Sequence, residues 1–149
     1  MPTFSHEMMR EIIMDHYNDP IHKKKPSNAE EYFQIRMDST SCIDDITVYL
    51  KVENEIIVDA KFDGVACTIS TASTDIMCDL IIGKTLKEAD YIFTQYVNMI
   101  YEKPFDDSVL DEALVFINTS KQAARIKCAT IGWNGLEKIM KDDWHYEKK

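Results

Sequence analysis

The sequence predicts an α+β fold, in which helices pack on one face of a small three-stranded antiparallel sheet. Between residues 32 and 62, alternating apolar residues are interrupted by tight turns, which is typical of an antiparallel meander. After Gly64 the apolar spacing changes to three and four residues, which indicates helices. Strands followed by helices are characteristic of the α+β class.

An opening helix is predicted over residues 4–18, because Met9, Ile12 and Ile13 recur at helical spacing before Asn18-Asp19-Pro20. A residue that precedes proline avoids the helical region, so the helix ends there. Three strands are predicted at residues 32–39, 45–52 and 56–62. The middle one alternates most regularly.

Four further helices are predicted after the strands. The first covers residues 67–82 and is ended by Gly83. The second opens at Thr85-Leu86-Lys87-Glu88, which has the pattern of a capping box. A shorter helix is predicted over residues 108–117, and the last is expected to begin near Cys128 and end near Lys141.

Length and charge limit the function classes. A chain of 149 residues matches one ordinary domain, so we expect a single domain over residues 1–149. The net charge of −9 would repel phosphate backbones, which disfavours nucleic-acid binding. No apolar run is long enough to span a bilayer, and no signal peptide is recognisable at the N-terminus. We therefore expect a cytoplasmic location and no membrane partner.

Three of the four cysteines are expected to converge. Cys42 precedes the second strand and Cys67 follows the third, which places both at one end of the predicted hairpin. Cys67 and Cys128 would each begin a helix, where the helix dipole favours a thiolate. With Asp44, two residues after Cys42, these thiols can supply the four ligands of a tetrahedral metal site. Burial of the same cysteines as ordinary core residues remains the alternative.

The remaining cysteine and two histidines are interpreted as structural or solvated. Cys78 lies about 16 Å along the helix from Cys67 at the standard helical rise, so it cannot share a metal with it. A buried core position is expected for Cys78. His16 is expected to be packed or hydrogen-bonded within the structure, and His22 to face solvent.

Four segments resemble the U-type iron–sulfur assembly proteins, a family that includes IscU, SufU and the N-terminal domain of NifU. They recur in the family's order, and the likeness extends over about residues 5–140. Lys127 stands where the IscU branch has a histidine, and the spacing of the last motif is closest to the SufU branch. The segments are Glu11-Ile-Ile-Met-Asp-His-Tyr-Asn-Asp-Pro20, Cys42-Ile-Asp44, Phe62-Asp-Gly-Val-Ala-Cys-Thr-Ile-Ser70 and Ala124-Arg-Ile-Lys-Cys-Ala-Thr130.

The resemblance implies a SufE/NifU-like fold and a zinc site formed by Cys42, Asp44, Cys67 and Cys128. It also implies that Cys42 accepts persulfide sulfur from a cysteine desulfurase and passes it towards iron–sulfur cluster assembly and its acceptor proteins. Arg125 would support the reaction by pairing with a carboxylate near the site or on the partner; a solvated surface arginine is the alternative.

Two other functions remain open. In the first, an iron–sulfur cluster is built on Cys42, Cys67 and Cys128 and handed to acceptor proteins. In the second, zinc only stabilises the fold.

The sequence departs from the family pattern at Thr40, Ile43 and Ala66, which replace a proline and two glycines. Losing both glycines predicts a stiffer or reshaped site.

Overall fold

The protein is described here by a computed structural model over residues 4–39 and 43–143. Its helices are α1 (His6–Asn18), α2 (Thr68–Ile81), α3 (Leu86–Ile100) and α4 (Ala123–Lys138), and its strands are β1 (Phe33–Asp38), β2 (Asp45–Glu53) and β3 (Ile56–Val65). A π-helical turn, Ile139–Asp143, continues from α4. Within the described residues, no helix has the length and apolar character needed to cross a bilayer. The α+β class predicted from the sequence is confirmed.

The three strands form one antiparallel sheet in the order β1-β2-β3. Val48 in the central strand lies opposite Ile35 on one side and Phe62 on the other. Asn54 and Glu55 both adopt positive φ angles, of 53° and 65°, which gives the tight turn that joins β2 to β3. The pairing of Asp45 with Val65 extends β3 beyond the predicted end at residue 62. This longer hairpin brings the residues before β2 close to those after β3.

Helices α2 and α4 cover the apolar face of the sheet. Ile46, Val48 and Leu50 on that face are fully buried. The predicted capping box at the start of α3 is confirmed, because Thr85 and Glu88 each accept a hydrogen bond from the other's backbone N–H. Helix α1 packs against α2, and Met9, Ile12 and Ile13 of its apolar stripe face the core, as the helical spacing predicts.

Two predicted helix positions are wrong. The last helix begins at Ala123 rather than near Cys128, because Ala123-Ala124-Arg125 are strong helix formers and extend it upstream. Residues 108–117 form two short 3₁₀ segments, Asp107–Val109 and Asp111–Phe116, instead of one α-helix. Asp111 has a positive φ of 43°, which interrupts a continuous helix at that residue.

The two histidines behave differently from each other. His16 is hydrogen-bonded to Asp75 of α2 and to Glu112, which confirms the prediction that it is hydrogen-bonded within the structure. The prediction for His22 was wrong: its side chain is 13% exposed, and its ring pairs with Asp79. Sequence spacing gave no sign of this contact, because the partners are 57 residues apart.

Helices α2 and α4 approach each other closely near Gly132. A Cβ atom added at Gly132 would lie 2.3 Å from Thr74 Oγ1 and 2.9 Å from Thr74 Cβ. Next to it, the Trp133 indole N–H donates to Ser73 Oγ, and Ser73 Oγ donates to the Ala129 carbonyl. Trp133 also stacks on Tyr96 of α3 with ring centroids 4.0 Å apart. The absence of a side chain at residue 132 therefore sets the separation of the two helices.

We expect Gly132→Ala to lower the free energy of unfolding by about 1–3 kcal/mol, because the added methyl overpacks against Thr74. The loss would occur although alanine is the better helix former by about 1 kcal/mol. Chemical denaturation measures it. Gly135→Ala on the same helix is the control, since the nearest atoms to its Cβ would be in the side chains of Met37 and Val48, at 3.0 Å, and of Ile35, at 3.5 Å.

Adding Thr74→Ala to Gly132→Ala should recover part of the loss, because it removes the two nearest atoms. Equal losses for Gly132→Ala and Gly135→Ala, or no recovery in the double variant, would contradict a steric limit at Gly132.

Candidate metal centre

The β2–β3 hairpin brings Asp44 and Cys67 together. Asp44 immediately precedes β2, and Cys67 lies two residues after the end of β3, at the N-cap of α2. Because Asp45 pairs with Val65, the residues just outside this pair meet at the same end of the hairpin. The structure thus juxtaposes these two positions for the reason that the sequence suggested.

The Asp44 carboxylate is buried, with 1% of its surface exposed, and its orientation is fixed. Its Oδ1 accepts the Cys67 backbone N–H at 2.8 Å and the Ser70 hydroxyl at 2.7 Å. Its Oδ2 lies 3.9 Å from Cys67 Sγ. Two donors therefore hold one carboxylate oxygen while the other faces the thiol.

Ser70 also contacts the thiol directly. Its hydroxyl lies 3.1 Å from Cys67 Sγ, and its backbone N–H points to the same sulfur at 3.5 Å. Ser70 belongs to one of the segments that resemble the family, but the sequence pattern alone indicates no role for it. Its position three residues after Cys67, at the start of a helix, is the signal that could have identified it, because an N-cap side chain interacts with the backbone N–H three residues later.

The third side chain, Cys128, reaches the same place from α4. It lies in the second turn of the helix rather than at its start, so the expected interaction with the helix N-terminus is not the reason for its position. Cys128 is 4% exposed, and its Sγ lies 4.0 Å from the Ala124 carbonyl oxygen. The close contact of α2 with α4 brings this sulfur towards Cys67.

The donor set suits a zinc ion. One ligand atom from each of Asp44, Cys67 and Cys128 lies within 4.8 Å of the other two. Ligand atoms around tetrahedral zinc are separated by about 3.6–3.8 Å, as follows from Zn–S and Zn–O bond lengths. The distance of 3.9 Å between Cys67 Sγ and Asp44 Oδ2 is close to that value. Small side-chain movements would bring the three donors to tetrahedral spacing.

The predicted site also includes Cys42 and Arg125. Cys42, like Thr40, lies outside the described residues. Arg125 is exposed on α4, and its guanidinium forms no ion pair with the residues that the structure describes. Ile43, which replaces a family glycine, is 66% exposed beside Asp44, and Ala66 is half-buried beside Cys67.

Cys78 is separate from this cluster, as predicted. It is fully buried in the core, and burial raises the pKa of its thiol well above the ordinary value. The thiol is therefore protonated at neutral pH and is not an activated nucleophile.

Comparisons with known proteins agree with this architecture. Residues 8–141 match the family model of the NifU-like N-terminal domain. The chain is 36% identical over 132 residues to the zinc-dependent sulfurtransferase SufU of Bacillus subtilis strain 168, covering 88% of each chain. It is 32% identical over 134 residues to the iron–sulfur cluster assembly scaffold protein IscU of Thermotoga maritima, covering 90% of this chain and 93% of that one.

Solved structures of similar proteins share the fold of this chain. A putative iron–sulfur cluster assembly scaffold protein for the SUF system from Fervidobacterium islandicum superposes with a TM-score of 0.79 at 36% identity, over 90% of this chain and 97% of that one. The N-terminal part of a NifU-like protein from Brucella abortus shares the fold, with a TM-score of 0.76 at 18% identity over 97% of this chain and 99% of that one. The chain therefore belongs to the family of NifU-like N-terminal domains.

Proposed function

We propose that this protein acts in iron–sulfur cluster assembly as a zinc-dependent sulfur carrier. It would accept persulfide sulfur from a cysteine desulfurase on Cys42 and pass it towards cluster assembly. The observation that carries the proposal is the convergence of Asp44, Cys67 and Cys128 at the end of the hairpin that follows Cys42. The similarity to the sulfurtransferase SufU supports it.

Cys42, Asp44, Cys67 and Cys128 would hold the zinc ion. When bound, zinc keeps its cysteine ligands as thiolates without oxidising or reducing them. The chain's own contribution is the fixed carboxylate: hydrogen bonds from Cys67 N–H and Ser70 leave Asp44 Oδ2 directed at the Cys67 thiol. A hard carboxylate among soft thiolates is the ligand that exchanges most readily.

The sulfur transfer is balanced without an external oxidant. The Cys42 thiolate attacks the outer sulfur of the desulfurase persulfide, R–S–SH, and forms a new S–S bond. The S–S bond of the donor breaks, and the desulfurase cysteine leaves as a thiolate. The proton stays on the transferred sulfur, so Cys42 becomes a persulfide.

Three exposed side chains beside the site would meet the desulfurase. Ile43, adjacent to Cys42, is 66% exposed, and Val65, two residues before Cys67, is 59% exposed. Such apolar side chains lose unfavourable contact with water when a partner covers them. Arg125 lies one helical turn before Cys128 and would pair with a carboxylate of the partner.

A scaffold role is the second candidate, favoured by the similarity to the IscU scaffold of T. maritima. A nascent iron–sulfur cluster would then be the cargo, bound by Cys42, Cys67 and Cys128 before transfer to acceptor proteins. The exposed Lys127 before Cys128 favours the carrier, because it supplies no imidazole ligand at that position.

We expect Asp44→Asn to weaken zinc binding by at least about tenfold, because an amide oxygen is a poorer zinc ligand than a carboxylate. The amide preserves side-chain size and can still accept from Ser70. Competition with a chromophoric chelator measures the affinity. Asp45→Asn is the control, since the adjacent Asp45 pairs with Arg36 on the sheet. Equal affinity of both variants would exclude Asp44 as a ligand.

Incubation with cysteine and the cognate desulfurase should add sulfur to Cys42, detected by mass spectrometry of alkylated peptides. Cys42→Ser should abolish the added sulfur, because serine cannot form a persulfide. Cys78→Ala should retain it, since Cys78 is buried in the core. If the desulfurase carries persulfide but Cys42 does not, the carrier role is wrong. A stable coloured cluster that transfers to an acceptor would instead favour the scaffold.

A further inference from the structure

A second group of metal-binding side chains lies around α2, apart from the cysteines. It brings together His16 from α1, His22 from the following loop, Asp75 and Asp79 from α2, and Glu112 from a 3₁₀ segment. The sequence motifs and the proposed sulfur chemistry use none of the three acidic residues. The clustering of these histidines and carboxylates therefore points to a separate role.

The distances allow three of these residues to bind one ion. One ligand atom from each of His16, Asp75 and Asp79 lies within 4.8 Å of the other two. His16 Nδ1 is already 2.6 Å from Asp75 Oδ2. Asp75 is eight residues after Cys67 on α2, which is about 12 Å along the helix at the standard rise. The two clusters therefore cannot share an ion.

The ligand atoms are held in place by neighbours. Asp75 is fully buried, and its Oδ1 accepts the His22 backbone N–H at 2.9 Å, so that Oδ2 faces His16. The second ring nitrogen of His16, Nε2, is 2.8 Å from Glu112 Oε1. Histidines that bind metals usually donate their other N–H to a carboxylate, a backbone carbonyl or a water, which fixes the ring and its tautomer. His16 and Glu112 have this arrangement.

The charge around His16 favours a cation. Three carboxylates surround two imidazoles, and the side chains of Asp79 and Glu112 are each 41% exposed, which leaves a route from solvent.

We propose that His16, Asp75 and Asp79 form a second metal site, which binds a divalent first-row transition metal ion such as Fe²⁺ or Zn²⁺. Glu112 and His22 orient the ligands: Glu112 holds the His16 ring, and His22 holds Asp75 through its backbone and Asp79 through its ring. One imidazole with two carboxylates suits these ions better than thiol-seeking Cu⁺. The proposal does not depend on the sulfur-carrier function.

Cobalt titration of the zinc-loaded protein tests this site. We expect one further Co²⁺ per chain, whose spectrum contains ligand-field bands but no thiolate-to-cobalt charge-transfer bands. Bound Co²⁺ should also shift the ring proton resonances of His16 and His22 in NMR spectra. Thiolate-to-cobalt charge-transfer bands would instead report cobalt at the cysteine cluster. The spectrum therefore distinguishes binding at the two sites.

Asp79→Asn should weaken this Co²⁺ binding by at least about tenfold, since altering residues that only support a ligand already costs 10–100-fold. Asp90→Asn, which changes an exposed carboxylate on α3, is the control and should bind as the parent does. Absence of saturable binding, or equal affinities of the two variants, would show that the cluster only links α1 to α2 by ion pairs.

Discussion

The contact between α2 and α4 is the constraint on which the rest of the structure depends. Gly132 allows the α4 backbone to approach Thr74, and the hydrogen bonds of Ser73 to Trp133 and Ala129 hold the helices there. Cys67 is the N-cap of α2, and Cys128 is the neighbour of Ala129 on α4. The separation of the helices therefore fixes the separation of the two sulfurs. A larger residue at 132 would affect the candidate metal centre as well as the core.

The candidate metal centre contains a buried carboxylate, Asp44, beside the two thiols of Cys67 and Cys128. Removing a carboxylate from water is costly unless hydrogen bonds or a cation compensate. Asp44 receives hydrogen bonds from Cys67 N–H and Ser70, which also direct its other oxygen towards sulfur. A bound cation would complete the compensation. Cys67 stands at the N-cap of α2, and the Asp75 carboxylate lies two turns later, beside His16 of α1. The two proposed sites would favour different metals, because sulfur is a softer ligand than nitrogen or oxygen.

Features set by local sequence were predictable, and features set by distant contacts were not. The hairpin register follows from the alternation in β2, and it brings Asp44 to Cys67. The capping box at Thr85 was likewise evident from four consecutive residues. The start of α4 is not evident from Cys128: the cysteine resembles Cys67 in its sequence setting, but α4 begins five residues before it, at Ala123. The contact of His22 with Asp79 arises only when the loop after α1 packs against α2, and the tightness at Gly132 depends on which face α4 presents to Thr74.

X-ray absorption at the zinc edge, on protein loaded with one equivalent of zinc, tests the central claim most directly. The proposed zinc site predicts a first shell of three sulfur atoms and one oxygen, supplied by Cys42, Cys67, Cys128 and Asp44, with Zn–S distances of about 2.3 Å. A shell of nitrogen and oxygen atoms alone would contradict it. Zinc would then prefer the histidine and carboxylate cluster, and the cysteines would need another role.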